Sequence, residues 1–336
     1  MPGERDQGPA AIFDSGLDYR FREVVDVASW IPDLSVIASD MGPGGDLLAL
    51  ATTREAAGTA LSGTESPGGV VFPATRADHP YKGVLIHLNQ SGELTNHLEL
   101  SEVFVAHPHV QPLPADRYLV VGSRTRRFAD GSFEKNAYIY GQDGRIEGEF
   151  LMGDGIADVQ CDGAGNIWTA YFDEGIFGNF GWNEPVGAPG LLCFDSQGQM
   201  TWHFEPPAGF DSMADCYALN VASSTDVYVY YYGDFAVMRI SRDKPIEAWP
   251  TPIHGSGALA IFAEHAALLG SYHERDRVFV GRLAPTGLIN IVSHRFVFAG
   301  VDGPIGPGKL RGRGSRFARM VGTRWFRCDM RELFAA

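Results

Sequence analysis

Short apolar runs, many of them β-branched or aromatic, alternate along this chain with polar turns, and apolar positions seldom recur at helical spacing over ten residues. The pattern predicts strands. A modestly apolar strand, a turn with Asp, Gly or Asn and a strongly apolar strand recur in "SVIASDMGPGGDLLALA" (35–51), "HVQPLPADRYLVVG" (109–122) and "ADVQCDGAGNIWTA" (157–170). The same plan returns in "YALNVASSTDVYVYY" (217–231), "GALAIFAEHAALLG" (257–270) and "GKLRGRGSRFARMVG" (308–322). With Ile37, Val110, Val159, Leu219, Leu259 and Leu310 as equivalent anchors, the separations are 73, 49, 60, 40 and 51 residues.

Five of the units continue with a loop, a third strand, a tight turn and a fourth strand, as in "NAYIYGQDGRIEGEF" (136–150) and "GLLCFDSQGQMTWHF" (190–204). The turns carry glycine where a hairpin needs positive φ. Four strands per repeat at this spacing predict an all-β, six-bladed β-propeller. The sixth unit has a third strand near 323–330 and too little chain after it for a fourth. We therefore expect "DYRFREVVDVAS" (18–29) to supply the outer strand and close the ring, which removes an open sheet edge. Residues 1–17 read as a tail and 18–336 as one domain; seven blades are the alternative, since 53–82 has room for further strands.

The phrase "DGAGNIW" (162–168) resembles the turn-and-strand signature of six-bladed propellers such as NHL-repeat proteins, the gluconolactonase and senescence-marker family, and the virginiamycin B lyase family. That resemblance implies a fold rather than an activity. In the metal-dependent lactonases of that group an Asn-Asp pair precedes the turn and the Asn binds the cation. The matching pair here is Ala157-Asp158, without the Asn.

Charge narrows the partners. With 41 acidic against 27 basic residues and a net charge of −14, the exterior repels nucleic acid and anionic membrane surfaces. No membrane-spanning run and no export signal stand out, so a soluble cytoplasmic protein is expected. Cys161, Cys193, Cys216 and Cys328 are scattered without a C-x-x-C and read as buried free thiols. No G-x-S-x-G elbow, dinucleotide fingerprint or phosphate-binding loop occurs; "HGSGA" (254–258) reads as a tight loop. The basic stretch 309–331 reads mainly as solvated blade surface, its arginines partly alternating with apolar residues, with an anionic ligand or acidic partner as the alternative that Arg's forked donors would suit.

In a propeller, the loops leading into each inner strand and those joining second to third strands share one face, around the mouth of the central channel. The first set brings Trp30, Asp33, His107, His109, Asp154, Asp158, Asp211, Asp215, His254 and Asp302 to that face. The second set includes "YFDEGIFGNFGW" (171–182), which offers Phe172, Phe177, Phe180 and Trp182 as an apolar wall with Asp173 and Glu174 as titratable groups. Tyr231 and Tyr272 come from the next two loops. Histidine beside aspartate suits general acid–base work by His107, His109, Asp158 and His254, or a divalent cation through imidazole and carboxylate. No metal or other cofactor is assigned. Two functions follow: a propeller that binds a small molecule, peptide or protein at its mouth, or a hydrolase or lyase acting on a small cyclic or lactone-like substrate.

Overall fold

The computed structural model describes residues 11–65, 69, 71–301 and 309–334. After β1 (Ile12–Asp26), the first sheet is built from β2 (Leu34–Met41) and β3 (Leu47–Thr53). Helix α1 (Arg54–Ala60) and a small hairpin, β4 (Gly63–Glu65) with β5 (Val71–Pro73), are inserted before β6 (Arg76–Leu88) and β7 (Leu94–Val105) complete it. The second sheet is β8 (Pro108–Leu113), β9 (Arg117–Gly122), β10 (Ala137–Tyr140) and β11 (Ile146–Phe150). The third is β12 (Ile156–Cys161), β13 (Ile167–Tyr171), β14 (Leu191–Phe194) and β15 (Met200–His203), with the one-turn helix α2 (Asp173–Phe177) after β13. The fourth is β16 (Asp215–Val221), β17 (Val227–Tyr232), β18 (Ala236–Ile240) and β19 (Glu247–Pro250). Four more strands, β20 (Ala258–Phe262), β21 (His265–Leu269), β22 (Arg277–Ala284) and β23 (Gly287–Phe298), are joined through β1 to β26 (Arg324–Asp329), β25 (Arg316–Val321) and β24 (Arg311–Arg313).

The inner strands β2, β8, β12, β16, β20 and β24 touch in that order, and β24 returns to β2. Apolar clusters fill the spaces between successive sheets. Leu48 and Leu85 meet Val110 and Val120 between the first two, and Ala318 and Trp325 meet Met41 and Leu47 where the ring returns to its start. A strand covered on both faces has to be apolar throughout, which is why β13 (IWTAY) is wholly buried. The outer β11 (IEGEF) alternates instead. The hairpin glycines sit as expected: Gly144 has φ +74 and Gly198 φ +80, and a side chain on Gly198 would strike the Phe150 ring. Asp162 ties the "DGAGN" turn together by accepting from the backbone N–H of Ala164 and Asn166.

The N-terminal strand does more than expected. Residues 22–26 pair antiparallel with 324–327, beside the third strand of the last unit. Residues 12–21 run parallel to 291–298 as a fifth strand on the neighbouring sheet. β1 thus begins at Ile12, inside the stretch read as a tail, and welds two sheets together. Tyr19 and Phe21 anchor it, buried against Phe298 and Phe326. The 53–82 insertion contributes α1 and a two-stranded hairpin. All four cysteines are free and buried, and no helix among the described residues is long and apolar enough to cross a membrane.

Candidate functional site

Beneath the mouth, the axis is filled by polar side chains of the inner strands in two tiers. In the upper tier, Arg311 of β24 places Nε 2.7 Å from Asp40 Oδ1 and Nη1 2.7 Å from Asp158 Oδ1. Its Nη2 lies 3.5 Å from Nδ1 of His109. In the lower tier, Arg313 donates to the carbonyls of Met41 and Cys161 and to Gln111 Oε1. Three amides stitch successive inner strands. Gln111 Oε1 accepts from Cys161 N at 3.0 Å, Gln160 Oε1 from Val221 N at 2.9 Å, and Asn220 Oδ1 from Gly314 N at 2.8 Å. Each satisfies backbone groups that would otherwise be buried without partners.

Above this axial layer opens a cavity of about 740 Å³, within the range of small-molecule sites. Ile156, Phe172, Tyr217 and Tyr272 are among the residues that wall it. Lys309 and Leu310 line its base. The two tyrosines are locked hydroxyl to hydroxyl at 2.6 Å, and Tyr217 packs on Phe235 in a wider aromatic cluster. Lys309 keeps 38% of its side chain accessible; its Nζ donates to the Ala157 carbonyl and lies 3.8 Å from Asp158.

The residues singled out from sequence divide into several groups. His107, Phe172 and Tyr272 line the cavity. His107 holds a left-handed φ of +48, and its Nε2 lies 2.8 Å from the Ser62 carbonyl, docking the inserted segment to the mouth. His109 and Asp158 come together, but below the cavity on Arg311, both buried. His254 stands outside it with its ring stacked on Phe235, 4.4 Å between centroids. His107 at the cavity, His109 and Asp158 on Arg311, and His254 on Phe235 thus stand in three different settings. Among the described residues no group of three or more His, Cys, Asp or Glu could hold a metal ion. Asp302 lies outside the described residues.

In the α2 loop, Glu174 Oε2 sits 2.5 Å from Arg124, which also forks onto Asp154 at 2.9 and 3.0 Å. Phe172 and Phe180 cover that guanidinium at 5.2 and 4.5 Å. Trp182 is buried and donates Nε1–H to the Thr125 carbonyl. These contacts tie the loop to Arg124 and Thr125. Phe177 is 70% exposed, and Asp173 is exposed as well. Tyr231 is buried away from the cavity, its hydroxyl donating to the Asp211 carbonyl.

Burial dominates the titration of the axial groups. It lowers His109 to about 3, helped by Arg311 and Lys309, so the imidazole is neutral. Its Nε2–H donates to Ser123 Oγ, whose own proton goes to the His107 carbonyl. Burial works against the Asp158 carboxylate, but the Arg311 and Lys309 charges hold it below its usual range. Asp40 is pushed up by burial, with Arg311 opposing. Asp215, at the start of β16, is raised to about 6 by burial and then by Asp173.

The basic stretch read as blade surface thus supplies the axis: Arg311 and Arg313 are almost fully enclosed. A signal for the axial amides was present. Gln111, Gln160 and Asn220 each directly follow the apolar anchor of their repeat, Val110, Val159 and Leu219. Arg124 and Arg275 stand in loops between second and third strands, which loop position alone brings to the mouth, and Lys309 opens the basic stretch; Tyr217 had no comparable signal.

Radially arranged antiparallel sheets around a filled axis define the class as a β-propeller. No protein-family model matches the sequence, and no curated protein matches it. Among solved structures, an inactive virginiamycin B lyase variant from Staphylococcus aureus with quinupristin is similar at 10% identity and TM-score 0.41, over 92% of this chain and 98% of that one. A gluconolactonase from Xanthomonas campestris is similar at 13% identity and TM-score 0.42, over 97% and 98%. BamB from Moraxella catarrhalis is similar at 10% identity and TM-score 0.43, over 87% and 82%.

Proposed function

We propose that the chain is a six-bladed β-propeller that binds a small molecule in its mouth cavity. Six inner strands in a ring, with β1 completing the sheet of β24–β26, support the blade count. The observation that carries the binding reading is the cavity: about 740 Å³, walled by Phe172, Tyr217 and Tyr272 and offering a few polar groups at its base. Asp158 and Glu174, two of the carboxylates singled out for acid–base work, each contact an arginine, which favours binding over proton transfer there. Asp215 is the one observation on the side of a hydrolase or lyase. Its raised pKa suits a proton-transfer group, and its neighbours Cys216 and Tyr217 line the cavity.

Gly257 gives the test. It lines the cavity, has no positive φ, and a Cβ built there meets nothing within 4 Å. Gly257→Trp should therefore fill the space without disturbing the fold. Small molecules that raise the melting temperature of the native protein should lose that effect in the variant. Hits that stabilise both proteins equally would place binding elsewhere and overturn the proposal.

A further inference from the structure

The chain carries 14 more negative than positive charges, yet the described residues that line the mouth cavity include Arg124, Arg275 and Lys309 and neither aspartate nor glutamate. We infer that the cavity's ligand is an organic anion, a carboxylate or phosphate group carried on an apolar or aromatic body; this rests on the cavity being the binding site.

The three cations are not equivalent. Arg124 is spent on Asp154 and Glu174 and serves the loop. Arg275, on the exposed loop after Tyr272, forms no ion pair or hydrogen bond among the described residues and is free to meet a ligand. Lys309 donates to the Ala157 carbonyl and lies 3.8 Å from Asp158, whose nearer partner is Arg311 at 2.7 Å, so its own ion pair is loose and its remaining N–H groups face the cavity's ligand. Burial disfavours its ammonium, Asp158 supports it and the Arg311 charge opposes it; an anion in the cavity would add a second counter-charge. Asp154, Asp158 and Glu174 contact lining cations but are absent from the lining themselves, so a ligand would meet cations and hydroxyls first. Ser271 adds one: its Oγ accepts from Glu274 N, which leaves its proton for a ligand. Phe172, Leu269 and Leu310 supply the apolar surface for the rest of the molecule.

Calorimetric titration with matched probes tests this. Phenylacetate, octanoate and phenyl phosphate are compared with phenylacetamide, octanamide and benzylamine. The anions should bind at least about tenfold tighter than their amides, the size of one charge-assisted hydrogen bond. Their affinity should fall as NaCl is raised from about 50 to 500 mM. Arg275→Gln, on a solvent-exposed loop, should cost the anions about tenfold and leave the amides within about twofold; Lys309→Met should do the same. Whether phenylacetate or phenyl phosphate binds tighter identifies the head group, and either supports the inference. Amides or benzylamine binding as well as the anions, with loss in Gly257→Trp, would overturn the anion and leave the cavity reading standing. Anion binding unchanged in Arg275→Gln and Lys309→Met would also overturn it. If no probe binds and Gly257→Trp changes nothing, the inference and the cavity reading fall together.

Discussion

Lys309 and Arg311 stand two residues apart on the segment entering β24, yet they belong to different worlds. Arg311 is enclosed and divided between two carboxylates at 2.7 Å, whereas Lys309 opens into a cavity without an acid in its described lining. The same contrast separates the axis from the mouth as a whole. In the axis, Gln111, Gln160, Asn220 and Arg313 are consumed by protein backbone; at the mouth, hydroxyls and cations are left with capacity to spare. Residue type alone therefore does not mark a site. What marks it is a polar group that the fold leaves incompletely matched.

The largest test of this contrast removes the axial hub. Arg311→Met leaves Asp40 and Asp158 buried without their partner, and breaking such a pair costs about 3–5 kcal/mol. Urea unfolding should show that loss, and adding Asp158→Asn should restore part of it. A variant as stable as the native protein would mean that water reaches the axis and that the two regions are not distinct. Arg124→Met should follow at about 3 kcal/mol, because Asp154 is nearly inaccessible while Glu174 can turn to solvent. Part of that loss should be local, so limited proteolysis should find new cuts within residues 172–190.

The repeated strands were legible because strands covered on both faces must be apolar, and that leaves a pattern such as "IWTAY" that survives insertions. Turn glycines were legible for the same kind of reason, since only a few residues accept positive φ. Closure by β1 was legible as a missing outer strand at the last unit, but its parallel pairing with β23 was not, because no alternation distinguishes a fifth strand from a tail. At the site, His107, Phe172 and Tyr272 were found by loop position alone. His254 could not be separated from them, since its stacking on Phe235 depends on how two loops from different strands meet. Arg311 was misread because alternating Arg and apolar residues look alike whether the Arg side faces solvent or the axis of a ring.

His109 provides a test of intermediate size. Its folded pKa lies near 3, below the ordinary value of 6.5. The unfolded chain therefore takes up a proton that the folded protein refuses, and the stability present above pH 6.5 is lost as pH falls toward 3. The loss should be on the order of 1–3 kcal/mol by pH 4.5, measured as a falling urea midpoint. His109→Gln should flatten that slope while keeping a donor toward Ser123. An unchanged slope would show that axial burial does not govern this histidine.

The smallest effect belongs to Asp215, the acid beside the mouth that forms no ion pair among the described residues, in contrast to Asp158. Burial and Asp173 raise it to about 6, with Lys309 opposing. Its folded pKa exceeds its unfolded value of 3.8, so its favourable contribution is complete below that value and disappears as pH rises through 6. Asp215→Asn keeps the shape and removes the titration. The variant should gain on the native protein between pH 4.5 and 8, by less than about 1 kcal/mol because the group is only partly buried and solvent screens it. A difference in melting temperature that stays constant over that range would remove Asp215 as a perturbed group. The same variant sharpens the functional contrast: a binding mouth should hold phenylacetate slightly tighter once the neighbouring negative charge is gone, whereas a hydrolytic mouth would lose turnover with its proton-transfer group.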